Sequence, residues 1–195
     1  MSQFKARLCE LINQPDVLKR LPEPIQLASG EWSCDFIDGK LAVDDPEDLD
    51  FVGAAMHAAA LEAGVEFDAV GGLVLGAVPF TFAISQAARC KWFLIRKEPK
   101  GRGTNLWVEG ARIAAGSRVM LVDDVVTTGG SIKLAYERAR LAGAKVVFAT
   151  ALVDRGNEAS GFFASVDVPY FPMLTYADIG IEAVHREHKR ATAAG

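Results

Sequence analysis

The sequence predicts an α/β fold in which a parallel sheet is flanked by helices, and three observations indicate this class. Short apolar segments alternate with amphipathic segments from residue 69 onward, which is typical of strands buried on both faces. The chain has 195 residues, 50% hydrophobic and 24% charged, so we expect an ordinary globular core. Its three cysteines are scattered without a Cys-x-x-Cys pair, which argues against a disulfide framework or a zinc site.

We expect residues 1–44 to form an N-terminal helix followed by a small β-rich hood. The opening segment interleaves charges with apolar side chains, which is typical of an amphipathic helix and not of a signal peptide. Short strands are predicted over residues 25–28 and 32–37. Asp38-Gly39 then predicts a hairpin turn before a third apolar segment over residues 41–43.

Residues 45–180 are predicted to form the α/β core, and residues 181–195 a charged tail. Asp45-Pro46 is a helix-start signal, because proline is favoured in the first turn, and Gly64 supplies the stop. Periodicity then predicts strands over residues 69–75, 91–95, 118–122 and 145–153, and helices over residues 80–88 and 131–142. Since no linker or repeat divides the chain, we predict a single domain over residues 1–195.

The most informative segment is a buried strand that ends in Asp123-Asp124 and continues into the loop Thr127-Thr128-Gly129-Gly130-Ser131 and a helix. Such a loop lies at the carboxyl edge of the sheet, where open α/β folds bind ligands. Its glycines let backbone N–H groups and hydroxyls surround a phosphate at the positive end of the helix. The adjacent carboxylates suit ribose hydroxyls or a Mg²⁺ ion. Together these features predict a site for a phosphorylated sugar.

The segment VMLVDDVVTTGGS closely resembles the signature of type I phosphoribosyltransferases that binds 5-phosphoribosyl 1-diphosphate (PRPP). The resemblance implies a type I phosphoribosyltransferase-like sheet with an N-terminal hood. It also implies that the paired acids bind the ribose hydroxyls and that the following loop holds the 5-phosphate. Mg²⁺ is expected to arrive with PRPP near the acids, with no direct protein ligand assigned. The PRPP-binding residues of this segment are then Asp123, Asp124, Val125, Val126, Thr127, Thr128, Gly129, Gly130 and Ser131.

Residues 96–105 form a second cluster, with four cations against one acid in an otherwise acidic protein. The cluster follows a predicted strand and contains two glycines, so we expect a loop that can move. Fixed cations would stabilise the negative charge that grows on pyrophosphate as it leaves the sugar. We therefore predict a lid over the phosphate site, in which Arg96, Lys97, Lys100 and Arg102 bind PRPP. The predicted catalytic residues are Lys100, Arg102, Asp123 and Asp124.

The sequences RKEPKGRG and LVLGAVP resemble segments of orotate phosphoribosyltransferases. In that family the loop reaches across a homodimer, so the resemblance implies a homodimer that shares the lid. Arg102 stands where the family loop usually carries a histidine. We expect its charge to suffice, because orotate can react as an already deprotonated ring nitrogen. The resemblance also implies that Thr127 and Arg155 contact orotate, whose carboxylate matches a guanidinium fork.

The resemblance thus implies Mg²⁺-dependent transfer of phosphoribose from PRPP to orotate, giving orotidine 5′-phosphate and pyrophosphate in pyrimidine biosynthesis. Three alternatives stay open: a phosphoribosyltransferase for another nucleobase, a non-catalytic regulator that senses PRPP, and a receiver-type signalling domain. The net charge of −4 argues against a nucleic-acid partner. No apolar segment is long enough to span a membrane, and the scattered cysteines favour a cytoplasmic protein.

Overall fold

The computed structural model describes residues 2–99 and 107–184. The helices in these ranges are α1 (Ser2–Ile12), α2 (Pro46–Glu62), α3 (Val78–Ala88), α4 (Gly130–Leu141) and α5 (Glu158–Ser165), with a 3-10 helix at Leu41–Val43. The strands are β1 (Leu18–Gln26), β2 (Trp32–Ile37), β3 (Ala69–Leu73), β4 (Lys91–Ile95), β5 (Val108–Gly110), β6 (Arg118–Val126), β7 (Lys145–Asp154) and β8 (Leu174–Thr175). The predicted α/β class is confirmed.

The central sheet has six strands in the order β5-β4-β3-β6-β7-β8. All neighbouring strands pair in parallel except β4 and β5, which are antiparallel. The sequence pattern missed β5 and β8, because strands of three and two residues are too short to show a period. Since β3, β6 and β7 run side by side in one direction, their carboxyl ends meet at one edge of the sheet.

The N-terminal hood is a two-stranded antiparallel sheet of β1 and β2. The predicted strand over residues 25–28 is wrong in its bounds, because β1 is longer and contains Pro22 and Pro24. The pairing register shifts between Arg20 and Ile25, so both prolines fall in the irregular part of the strand. Proline is tolerated there because no ladder N–H is required.

The third apolar segment of the hood is a 3-10 helix, so the hairpin predicted at this point is wrong. The N–H of Leu41 donates to the carbonyl of Asp38 at 3.1 Å, and the N–H of Val43 donates to the carbonyl of Lys40 at 3.2 Å. These are i to i+3 bonds, which define a 3-10 turn. The turn buries Ala42 and Val43 in the core immediately before α2 begins.

Helix α2 begins where the sequence predicted and packs against α3. The Asp45 carboxylate accepts a hydrogen bond from the N–H of Glu47 at 2.8 Å, and Pro46 occupies the first turn. A Cβ at Gly53 would lie 2.7 Å from both the carbonyl carbon and the Cβ of Ala83. The backbone of α2 at Gly53 therefore packs directly against Ala83 of α3, and the two helices lie close together.

Apolar side chains on the two faces of the central sheet form the core. One buried cluster joins the sheet to α1, the hood and α2, through residues such as Leu8, Ile37 and Val52. The other cluster lies between the sheet and helices α4 and α5, and includes Ile132 and Phe163. The shared core fixes the hood beside the carboxyl edge of the sheet. No helix in the described part of the chain is long and apolar enough to cross a membrane.

Candidate active site

A cleft of about 360 Å³ opens at the carboxyl edge of the central sheet. Its walls come from the hood, the ends of β3 and β6, and the start of α4. The lining residues are Ala28, Ser29, Leu73, Lys97, Asp123, Val125, Val126, Thr127, Thr128, Gly129, Gly130, Ser131 and Leu134. The structure therefore brings together the whole predicted phosphate loop, one of the two acids and one of the predicted cations.

The loop over residues 127–131 connects β6 to α4 and has the geometry of an anion site. Gly129 is the N-cap residue of α4 and has a φ of 73°, a left-handed conformation that favours glycine. Its carbonyl accepts a hydrogen bond from the N–H of Lys133 at 2.9 Å, so the helix starts directly at the cleft. The Gly129 cap provides no side-chain hydrogen bond to the N–H groups of the first turn. Those groups can therefore face a ligand at the positive end of the helix dipole.

The two acids near the end of β6 differ in exposure. Asp123 is 4% exposed, whereas Asp124 is half-buried. The backbone N–H of Asp124 donates to Oδ1 of Asp123 at 3.1 Å. Burial, and after it the charge of the neighbouring Asp124, raise the pKa of Asp123 well above its usual value. Such a pair favours hydroxyl donors or a cation as partners, which suits ribose hydroxyls or Mg²⁺.

The loop after β3 leaves space for the Asp124 carboxylate. A Cβ at Gly76 would lie 2.7 Å from Cγ and 2.8 Å from Oδ2 of Asp124. The hood approaches the same side chain, because a Cβ at Gly39 would lie 3.2 Å from the Cβ of Asp124. Larger residues at Gly76 would therefore displace this carboxylate from the site.

The predicted cations take different positions. Lys97 lines the cleft, and its charge partly offsets the rise in the pKa of Asp123. Arg96 instead lies near the edge strand, where its Nη1 is 3.6 Å from Oε1 of Glu109. Its contact with PRPP stays a prediction. Lys100 and Arg102 lie outside the described residues, so their roles also stay predictions.

Arg155 follows β7 at the same edge of the sheet, but its guanidinium contacts the hood. The side chain is 1% exposed, and burial lowers its pKa. Its Nη1 donates to the carbonyl of Asp35 at 2.9 Å, and its Nη2 donates to Oγ of Ser33 at 2.8 Å. Its Nε has no hydrogen-bond partner among the described residues. The predicted contact of Arg155 with orotate stays a prediction, and Thr127, its predicted companion, does line the cleft.

Two supports of the site arise from contacts that the sequence analysis did not predict. The buried carboxylate of Asp154 accepts hydrogen bonds from the N–H of Gly156 and the hydroxyl of Tyr170, both at 3.0 Å. Burial is the main cause that raises the pKa of both Asp154 and Tyr170. Gly156 packs under the phosphate loop, since a Cβ there would lie 2.7 Å from the carbonyl oxygen of Thr127. An Asp-x-Gly turn was readable after β7, but nothing in the sequence pattern pointed to Tyr170.

Comparison with known proteins identifies relatives along most of the chain. A phosphoribosyl transferase domain matches residues 48–160. The orotate phosphoribosyltransferase of Thermococcus gammatolerans is 35% identical over 153 residues, covering 78% of this chain and 80% of that protein. The orotate phosphoribosyltransferase of a Bradyrhizobium species is 36% identical over 177 residues, which cover 87% of this chain and 93% of that protein. The crystal structure of Mycobacterium tuberculosis orotate phosphoribosyltransferase in complex with PRPP has a TM-score of 0.72 and 28% identity, covering 91% of this chain and 99% of that one.

Proposed function

The chain belongs to the orotate phosphoribosyltransferase family, and from that premise we propose that it transfers phosphoribose from PRPP to orotate. The products are orotidine 5′-phosphate and pyrophosphate, a step of pyrimidine biosynthesis. In this reaction a ring nitrogen of orotate bonds to the anomeric carbon of the ribose as the bond from that carbon to pyrophosphate breaks. The chain is thus a pentosyl-transferring enzyme.

One observation carries the proposal: an open helix N-terminus and the carboxylate of Asp123 line one cleft, and Asp124 is adjacent on the same strand. The loop over residues 127–131 offers backbone N–H groups and hydroxyls to the 5-phosphate. Asp123 and Asp124 lie on β6, the strand that leads directly into this loop. A receiver-type signalling domain does not require a glycine-rich phosphate-binding loop of this kind. The cleft therefore supports a ribose 5-phosphate moiety as ligand.

We infer that Mg²⁺ takes part and is held mainly by PRPP. In phosphate chemistry this ion usually binds one or two carboxylates together with oxygens of the substrate. Asp123 and Asp124, near the end of β6, are carboxylates that suit that role. Bound Mg²⁺ would neutralise charge on the leaving pyrophosphate. EDTA should abolish turnover and added Mg²⁺ should restore it; full activity in EDTA would contradict this inference.

We propose that the cations of residues 96–102 bind pyrophosphate. Lys97 lies in the cleft and supports this placement. For Lys100 and Arg102 the support is the family resemblance of the loop sequence alone. Arg102 keeps a positive charge where the family usually has histidine, and we propose that charge is sufficient there. A gain in turnover of orders of magnitude in Arg102→His would contradict this proposal.

We propose that Thr127 and Arg155 recognise the base. Thr127 lines the cleft. Among the described residues the Nε of Arg155 has no hydrogen-bond partner, and its guanidinium donates to two neutral groups, Ser33 and the Asp35 carbonyl. A carboxylate in place of one of these would receive a charged hydrogen bond. The contact of Arg155 with the hood also favours a second candidate function, transfer to another nucleobase that needs no carboxylate partner.

We propose a homodimer, as the family resemblance of the lid sequence implies. Exposed apolar side chains at two places on the surface support it. Leu75, in the loop after β3, is 74% exposed, and Phe82 and Trp92 are 40% and 38% exposed. The rings of Phe82 and Trp92 lie edge to face with centroids 5.0 Å apart. Exposed apolar patches of this kind mark interfaces. Light scattering should give twice the chain mass, and a monomer at micromolar concentration would contradict the proposal.

We also propose that residues 1–195 form one domain of a cytoplasmic enzyme. Cys9, Cys34 and Cys90 are all free thiols, which suits a reducing compartment. Limited proteolysis that released a stable core separate from the hood would contradict the single domain. Recovery of the protein outside the cytoplasmic fraction would contradict the location.

The test of the proposed function is a comparison of bases. Purified protein with PRPP and Mg²⁺ is incubated with orotate, uracil, adenine or hypoxanthine, and loss of each base is followed by absorbance. We expect PRPP-dependent loss of orotate alone. Loss of a different base would favour the second candidate. Tight PRPP binding without loss of any base would favour a regulator that senses PRPP.

A further inference from the structure

Lys133 lies on the first turn of α4, outside the set of residues that the proposed reaction uses. Its Nζ donates a hydrogen bond to the carbonyl oxygen of Thr128 at 2.9 Å. The side chain is 25% exposed and is not among the residues that line the cleft. It therefore contacts the phosphate loop from behind, on the side of α5.

The contact with Thr128 determines the direction of the next N–H group. The peptide bond between Thr128 and Gly129 is trans. In a trans peptide the C=O and the following N–H point in opposite directions. Because the ammonium of Lys133 holds the Thr128 carbonyl towards α5, the N–H of Gly129 points the other way, towards the cleft. An N–H group fixed in advance binds an anion better than one that must first rotate.

A second group of contacts holds Lys133 itself in place. Its Nζ lies 3.7 Å from Oε2 of Glu158 and 5.8 Å from the ring centroid of Phe162. Its stem packs on the loop, since a Cβ at Gly129 would lie 3.1 Å from Cε of Lys133 and 3.3 Å from Cβ of Ala159. The side chain thus links the loop to α5 through both its charge and its apolar stem.

We propose that Lys133 is a positioning residue for the phosphate-binding loop and sets the affinity for the 5-phosphate of PRPP. It acts through the peptide of Thr128 and Gly129 and does not touch the ligand. The inference rests on the proposed function, which places that phosphate on this loop. The inference predicts that loss of the Lys133 ammonium weakens binding of PRPP and leaves binding of orotate unchanged.

The test compares Lys133→Met, which keeps the stem and removes the ammonium, with Lys133→Arg, which can still donate to the carbonyl. Lys145→Met is the matched control, because Lys145 is exposed at the start of β7, the opposite end of that strand from the cleft. Calorimetry measures binding of ribose 5-phosphate, and steady-state kinetics give KM for PRPP and for orotate. Thermal unfolding of each variant checks the fold.

We expect Lys133→Met to weaken ribose 5-phosphate binding and raise KM for PRPP about 10-fold, the loss of a charged hydrogen bond. KM for orotate should stay within about twofold, since only the phosphate contact changes. Lys133→Arg should recover affinity to within about threefold of wild type, and Lys145→Met should match wild type.

Wild-type affinity in Lys133→Met, or an equal rise in both KM values, would overturn the inference. If Lys133→Met does not fold, Lys133→Arg carries the test: KM for PRPP should stay within about threefold of wild type with KM for orotate unchanged, and a defect confined to orotate would overturn the inference. Failure of wild-type protein to bind ribose 5-phosphate or PRPP would instead refute the proposed function.

Discussion

Gly156 offers a direct test of how the site is held together. Its Cα faces the carbonyl oxygen of Thr127, and a Cβ added there would lie 2.7 Å from that oxygen. The neighbouring backbone is fixed, because the N–H of Gly156 donates to Asp154 at 3.0 Å and the N–H of Arg155 donates to the carbonyl of Val126 at 2.8 Å. The added methyl is held by this fixed backbone and meets a backbone oxygen, so Gly156→Ala must move the loop.

The size of the movement follows from the geometry. Ordinary van der Waals contact begins at 3.4 Å, so the Thr127 carbonyl must move by about 0.7 Å. A misplacement of about 1 Å in a catalytic site can lower the rate about 100-fold. We therefore expect Gly156→Ala to lower kcat/KM for PRPP by about 10- to 50-fold, and to destabilise the fold by about 1–3 kcal/mol through overpacking.

The assay measures kcat/KM for PRPP and the free energy of unfolding for Gly156→Ala and for a matched control. Gly161→Ala is that control: Gly161 lies in α5 with no heavy atom within 4 Å of the added Cβ. Its replacement should leave kinetics unchanged and stabilise the helix by about 0.5–1 kcal/mol. The reasoning would be refuted if Gly156→Ala stayed within twofold of wild type for PRPP, or if the control lost as much activity.

Three further predictions concern buried groups and packing. Since burial and the charge of Asp124 raise the pKa of Asp123, its ionised form destabilises the folded protein, and this penalty grows as pH rises above about 4, the usual carboxyl pKa. Asp123→Asn should therefore raise Tm by more at pH 8 than at pH 5 while abolishing turnover; an equal Tm gain at both values would contradict this. Gly53→Ala should destabilise the fold by about 1–3 kcal/mol in denaturant unfolding, because its Cβ would meet the backbone of α3 at 2.7 Å; wild-type stability would argue against the close packing. Tyr170→Phe removes the hydroxyl that donates to Asp154 at 3.0 Å and should reduce stability by about 1–3 kcal/mol in the same measurement, whereas an unchanged midpoint would show that this bond is dispensable.

The phosphate loop could be predicted from sequence because its parts are contiguous. Asp123 and Asp124 lie near the end of an apolar strand, and the glycines and hydroxyls that follow open an amphipathic helix, so strand, loop and helix were readable from one segment. The order of β6 and β7 also followed from the rule that neighbouring segments pair. Local sequence patterns were sufficient to predict the site where its residues are consecutive in the chain.

The hood was less predictable because two local signals mislead. Pro22 and Pro24 hide a strand whose register shift makes room for them. Asp38-Gly39 predicts a hairpin, but burial of Ala42 and Val43 selects a 3-10 turn instead. In both places tertiary packing overrides the short-range preference.

The supports of the site could not be read from sequence because they join distant elements. Arg155 donates to Ser33, which is 122 residues away. Sequence placed Arg155 at the right edge of the sheet, but its orientation depends on where the hood packs. The contact between Gly156 and Thr127, and that between Tyr170 and Asp154, exist only once β6, β7 and α5 are assembled.

The stoichiometry of the complete reaction tests the central claim most directly. Orotate loss and pyrophosphate release are measured together in one mixture of protein, PRPP and Mg²⁺, with reactions lacking orotate as the blank. We predict that the two quantities rise in equal amounts, and that pyrophosphate release without orotate is negligible. Pyrophosphate released without loss of orotate, or no release although PRPP binds, would contradict phosphoribosyl transfer to orotate by this chain.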